Sequence, residues 1–143
     1  MDMKLELIPI PVSDVDRAKT FYTERVGFNA DHDHRLGETV RFVQLTPPGS
    51  ACSIVIGKGI TDVAPGSAQG TLLVVSDIEA ARAELVERGV AINEVQDTEW
   101  GARHAYFNDP TATAGSSSSR TRASKDACRR RQPATTFPRG AGV

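Results

Sequence analysis

The sequence predicts an α+β fold of two βαβββ modules around one shared core, with the second module cut short. Three observations predict it. The stretch VSDVDRAK at 12–19 returns 63 positions later as VSDIEAAR at 75–82. Each copy follows an apolar extended run. Each opens a helical stretch that stops at a glycine, Gly27 and then Gly89. A repeat of this period marks duplicated supersecondary units that bury a common core.

The elements follow in order. Residues 4–10 (KLELIPI) read as the first strand, with Pro9 and Pro11 marking an edge or an abrupt exit. Ser13 with Asp16, and Ser76 with Glu79, fit a hydroxyl that caps a helix start and an acid that reaches back to it. Asp14 and Asp77 add first-turn negative charge that complements the helix dipole. Val15, Ala18, Phe21, Tyr22 and Val26 fall on one side of the first helix; Ile78, Ala81, Leu85 and Val86 do so in the second. Gly27 and Gly89 are left-handed stops. Strands are expected at 28–31, 40–45 and 52–56, with TPPGS at 46–50 as turn chemistry. The glycine-rich, aperiodic stretch 57–70 reads as a linker, and the second module then runs through strands at 71–75, 90–95 and 102–107. The expected organisation is a first module at 1–56, the linker at 57–70, a truncated second module at 71–110 and a disordered basic tail at 111–143.

The chain resembles the vicinal oxygen chelate superfamily, the group of glyoxalases, bleomycin resistance proteins and extradiol dioxygenases. The resemblance rests on the two VSD helix openings, Phe21-Tyr22 followed by Gly27-Phe28, and Trp100-Gly101-Ala102-Arg103 leading into Phe107-Asn108-Asp109-Pro110. It covers roughly positions 3–110. It implies that the two modules curl into a cupped, incomplete barrel with the ligand on the concave side, and that the protein is a homodimer.

The resemblance breaks after Pro110. The family continues from Asp-Pro with Asp-Gly-Asn and an aromatic strand that closes the second module. Here TATAGSSSS follows. Codons can be chosen that encode this run from Pro110 as CCG ACG GCA ACG GCT GGG TCC TCC AGC. Read from the last base of the proline codon, they spell Asp-Gly-Asn-Gly-Trp-Val-Leu-Gln. The stretch beyond Pro110 therefore reads as an out-of-frame translation. Charge divides at the same place: formal net charge is −7 over 1–110 and +6 over 111–143. The tail holds few large apolar residues, so it lacks the burial needed to offset chain entropy. Arg129-Arg130-Arg131 would suit an anionic surface, but no aromatics interleave for base stacking, and no nucleic-acid partner is expected.

No apolar run approaches the ~20 residues that cross a membrane, so no membrane partner is expected. MDMKLELIP lacks the apolar run of a signal peptide, which makes the cytoplasm the expected location. Cys52 in a predicted strand and Cys128 in the tail do not read as a disulfide.

Metal-dependent members of the family place four His, Glu or Gln ligands in the cavity. The resemblance sets the first at Leu7, its second-module counterpart at Gly70 and a third near Val55; the fourth belongs to the final strand, which this chain is expected to lack. Leu and Val have no lone pair and Gly no side chain, so no metal cofactor is expected. Asp31-His32-Asp33-His34 is polar and reads as a solvated loop, although an extended backbone would bring the two imidazoles to one face. His104 reads as an exposed or half-buried strand residue. Candidate ligand-binding residues are Phe42, Trp100 and Tyr106 as stacking surface, with Gln44 and Arg103 as hydrogen-bonding groups. Phe42 and Tyr106 serve equally as core, and Arg103 as surface. No catalytic residue is identified. The sequence thus points to a glyoxalase/bleomycin-resistance-like protein that binds a small organic ligand without cofactor. The competing readings are a metal-dependent lyase, isomerase or dioxygenase, and an interaction module with no ligand.

Overall fold

A computed structural model of the chain describes residues 1–99 and 101–111, and the backbone of 120–125. The first module runs β1 (Leu7–Pro9), α1 (Val15–Thr20), a π-helical continuation (Phe21–Val26), β2 (Asn29–Leu36), β3 (Val40–Thr46) and β4 (Ser53–Lys58). The second runs β5 (Leu72–Val74), α2 (Ile78–Glu87), β6 (Gln96–Asp97), β7 (Arg103–Asn108) and β8 (Arg120–Lys125). The two sheets have the orders β1-β4-β3-β2 and β5-β8-β7-β6. In each, the opening strand pairs parallel with the closing strand, and the other neighbours are antiparallel. The sequence repeat is thus a repeat of topology.

Four expectations need correction. The second module does not lack its last strand: β8 lies between β5 and β7, inside the stretch expected to be disordered. Sheet pairing is a backbone property, and β5 and β7 together offer two ladders that a segment of almost any composition completes. The rest of that tail lies outside the described residues, apart from buried Thr111. The strand expected at 28–31 extends to Leu36, because the antiparallel ladder with β3 carries it through a wholly exposed polar stretch. The expected linker begins inside β4, which continues to Lys58. The strand expected at 90–95 reduces to the bridge Ile92–Phe107, followed by the short β6.

The helix caps also differ from the serine reading. Asp14 Oδ1 accepts from Arg17 N at 3.0 Å, and Asp77 Oδ1 accepts from Glu79 N at 3.0 Å and Ala80 N at 3.1 Å. A carboxylate satisfies these end amides and their partial positive charge together. Asp16 and Glu79 are thereby released for strand contacts. Arg41 Nη1 on β3 lies 2.7 Å from Asp16 Oδ1, and Arg103 Nη2 on β7 lies 2.5 Å from Glu79 Oε1. Each arginine also holds an aspartate of the neighbouring strand: Asp33 on β2 in the first module, Asp97 on β6 in the second. One acid–arginine–acid clamp therefore ties helix to sheet in both halves.

The core lies between helices and sheets. Ile10, Val12, Ala18, Tyr22, Phe28, Val43, Leu45, Ile54 and Ile56 form the main cluster, with Val15, Phe21 and Val26 packed against it, as the helical spacing predicted. In the second helix Ile78 is buried, whereas Val86 is exposed. The modules meet through the first helix. Phe21 approaches Phe107 at 6.2 Å between ring centroids, and the buried Tyr22 hydroxyl donates to Asp109 Oδ2 at 3.1 Å. Burial first, and the Asp109 carboxylate second, push the Tyr22 phenol well above its ordinary value. The helix ends face each other: Arg25 Nη1 donates to Gly89 O at 2.9 Å, and a Cβ on Gly27 would meet Arg88 Nη1 at 2.7 Å. A guanidinium over a helix C-terminus complements its dipole, and both glycines hold positive φ, +93° and +77°.

Candidate functional site

Side chains alternate along a strand, so the residues not facing the helices share the other side of each sheet. Val43, Leu45, Ile54 and Ile56 pack on the first helix. Phe42, Gln44, Thr46, Ser53 and Val55 therefore line the opposite, open face. The register adds His34 across from Phe42, His32 across from Gln44, and Leu7 beside Ser53. Val55 and Ser53 are buried there, and Phe42, Gln44 and Leu7 half-buried, which describes a partly enclosed surface.

A polar run crosses this face. Gln44 Nε2 donates to Ser53 Oγ at 3.1 Å, Ser53 Oγ and Thr46 Oγ1 lie 2.6 Å apart, and Thr46 Oγ1 also bonds Asp31 Oδ2. Asp31 reaches it because the ladder slips between Ala30 and His32, leaving the aspartate as an extra residue. A bulge of this kind re-aims a side chain to the other face. Beside it the His32 and His34 rings stack, with centroids 5.5 Å apart and planes inclined by 24°. The D-H-D-H stretch is thus strand and not loop. Its alternation was visible, but a strand polar on both faces carries no hydrophobic period to announce it.

In the second module His104 and Tyr106 occupy the open face, opposite the side on which Ala105 packs with Ile78. Their rings meet edge-on at 6.2 Å. His104 is 2% exposed, deeper than the half-buried residue expected, and Tyr106 is half-buried. Both modules follow one pattern, in which Phe42 and Gln44 correspond to His104 and Tyr106. Arg103 is turned the other way. It corresponds to Arg41 and is held on the helix side by Glu79 and Asp97, with Glu79 first in raising its pKa. Phe42, Gln44 and Tyr106 thus sit on open faces, Arg103 does not, and Trp100 lies outside the described residues. The Arg103 direction follows from the alternation with Ala105 and Phe107.

The positions that family resemblance marks for metal ligands can be tested against this geometry. Leu7 and Val55 do share the open face, and Gly70 precedes β5 with φ +82°. Two hydrocarbon side chains and a glycine do not fit a metal ion. Among the described residues no group of three or more His, Cys, Asp or Glu is placed to hold one. A separate cavity of about 490 Å³ lies on the helix side, bounded by Phe28, Leu72, Leu73, Leu85 and Phe107, with Glu84 and Arg88 also lining it.

This fold has known counterparts. The sequence model of the Glyoxalase/Bleomycin resistance protein/Dioxygenase superfamily matches residues 4–112. The chain belongs to that superfamily. Among solved structures it is similar to TnmS3, an antibiotic binding protein from Streptomyces sp. CB03234, with 35% identity, 87% of this chain and 96% of that chain covered, and a TM-score of 0.74. A glyoxalase/bleomycin resistance protein from the same Streptomyces shows 36% identity over 84% of this chain and 98% of its own, with a TM-score of 0.69. The uncharacterized protein YetH of Bacillus subtilis is 29% identical over 105 residues, 71% of this chain and 86% of its own. Among the described residues no helix is long and apolar enough to cross a membrane.

Proposed function

We propose that this glyoxalase/bleomycin-resistance-like protein binds a small organic ligand on its open sheet faces and has no family-type metal centre. The two βαβββ modules would form a cupped, incomplete barrel, and the protein would act as a cytoplasmic homodimer without nucleic-acid or membrane partners. The observation that carries the reading is the chemistry of the first open face. Half-buried Phe42 supplies an aromatic surface and Gln44 a directional amide, while Leu7 and Val55 replace donors with hydrocarbon. Likeness to an antibiotic binding protein supports the same class. A pocket of mostly apolar lining with a few placed polar groups suits a planar or amphipathic molecule.

The test is titration of the whole chain with planar aromatic compounds, including antibiotics, followed through quenching of Trp100, the one tryptophan in the sequence. Saturable quenching without turnover is expected, and Phe42→Ala should raise Kd about tenfold, as loss of a stacking partner does. Stoichiometric metal uptake with turnover of a thiol adduct or a catechol would overturn the reading in favour of an enzyme.

The out-of-frame reading of the tail belongs to the same proposal. It is supported by the family match, which stops at 112, and by the register of β8. In the first module Ile54 and Ile56 stand opposite Leu45 and Val43; in the second, Thr121 and Ala123 stand opposite Phe107 and Ala105. Thr and Ala are smaller than the isoleucines at the matching positions of the first module, as expected of a strand translated out of frame.

A further inference from the structure

We infer that the stacked His32–His34 pair makes the first open face selective for planar aromatic acids. This rests on the binding reading above and adds the ligand's charge to it. Both histidines are solvent-exposed, so a ligand meets them without rearrangement. Their rings are stacked, and the register joins them to Phe42 and Gln44 in a two-by-two patch: His34 opposite Phe42, His32 opposite Gln44. Such a patch offers ring faces to a flat molecule and N–H donors at its margin. Imidazole side chains change charge between about pH 5 and 8. Two imidazolium ions stacked at 5.5 Å repel each other, and a bound carboxylate or phenolate relieves that repulsion.

The surrounding charges fit this assignment. On the same face β3 contributes Phe42, Gln44 and Thr46, and β4 contributes Ser53, Val55 and Gly57, none of them charged. Among the described residues Asp31 is the one acid placed there; Thr46 already bonds its carboxylate, and it lies at the His32 end. The anionic group is therefore seated toward His34. Asp33 and Arg35, the other charged residues near the pair on β2, register opposite Val43 and Arg41 on the helix-facing side, where Arg41 and Lys19 hold Asp33.

The experiment is calorimetric titration of the full chain with 2-naphthoate and with its neutral analogue, naphthalene-2-carboxamide, near pH 5.5 and near pH 8. Wild type, the double variant H32Q/H34Q and F42A are compared. The substituted histidines are exposed, and an unchanged melting temperature confirms that the double variant folds. Wild type is expected to bind 2-naphthoate about tenfold tighter at the lower pH, as gain of one charge-assisted contact would give. The carboxamide should show no such dependence, and H32Q/H34Q should abolish it for the acid, so that its affinities at the two pH values become equal. Equal naphthoate affinity at both pH values, or a pH dependence that survives in the double variant, overturns the inference. If carboxamide binding is at the same time weakened by F42A, open-face binding stands and only the anion selectivity falls. If wild type binds neither compound, both fall together.

Discussion

Asp33 shows how one side chain ties three elements. Arg41 grips it through Nε at 3.0 Å and Nη2 at 2.9 Å, and Lys19 of α1 reaches it at 2.8 Å. This fork geometry is the favourable form of a surface ion pair. Hydrogen bonds from Arg41, and then from Lys19, hold the carboxyl well below the usual range. A depressed carboxyl stabilises the folded state fully above its unfolded value of about 3.9 and loses that contribution as pH falls through the folded value. Asp33→Asn should therefore cost about 1 kcal/mol at neutral pH. In urea unfolding at a series of pH values, the gap to wild type should close only in acid, below about pH 4. A gap that stays constant into strong acid would show that the aspartate contributes through shape and not through charge.

At the scale of the element, β3 and β4 lie so close that one position admits no side chain. A Cβ placed on Gly57 would stand 1.9 Å from the carbonyl oxygen of Arg41, which is backbone and has no rotamer to change. Gly57 sits in β4 opposite Phe42, so any shift that relieved the clash would move the open face. Gly57→Ala should destabilise by about 1–3 kcal/mol, the range for forced overpacking, as measured by chemical denaturation. It should also weaken ligand binding. Wild-type stability in this variant would mean that the two strands separate more easily than their ladder suggests. In the sequence this glycine reads as the start of a linker. Glycine-rich composition looks the same in a loop and in a strand where another backbone approaches closely.

For the whole molecule the decisive asymmetry lies between two modules of one topology. The first fills its closing strand with Ile54 and Ile56, 6% and 0% exposed. Burying an aliphatic side chain of that size stabilises by about 1.5–3 kcal/mol. The second module has Thr121 and Ala123 at the matching register. A coding sequence restored to the frame that reads Asp-Gly-Asn-Gly-Trp after Pro110 should give a protein that melts at least ~5 °C higher in calorimetry. Equal melting temperatures would set the out-of-frame reading aside. Sequencing the source DNA across the Pro110 codon tests it directly.

The repeated octet, the helix faces from Val15 to Val26, and the glycine stops at 27 and 89 were legible because they are local. Capping, periodicity and positive φ are settled within a turn or two of chain. The superfamily was legible for the same reason. Only the tertiary structure decided that Asp16 and Glu79 serve strand arginines, that Arg103 belongs to such a clamp, and that β8 completes the second sheet. It alone set Asp31, His32 and His34 on the open face. Each of these depends on which strand lies alongside and in what register. Register is fixed by the partner's hydrogen bonds, and the residue's own segment does not encode them.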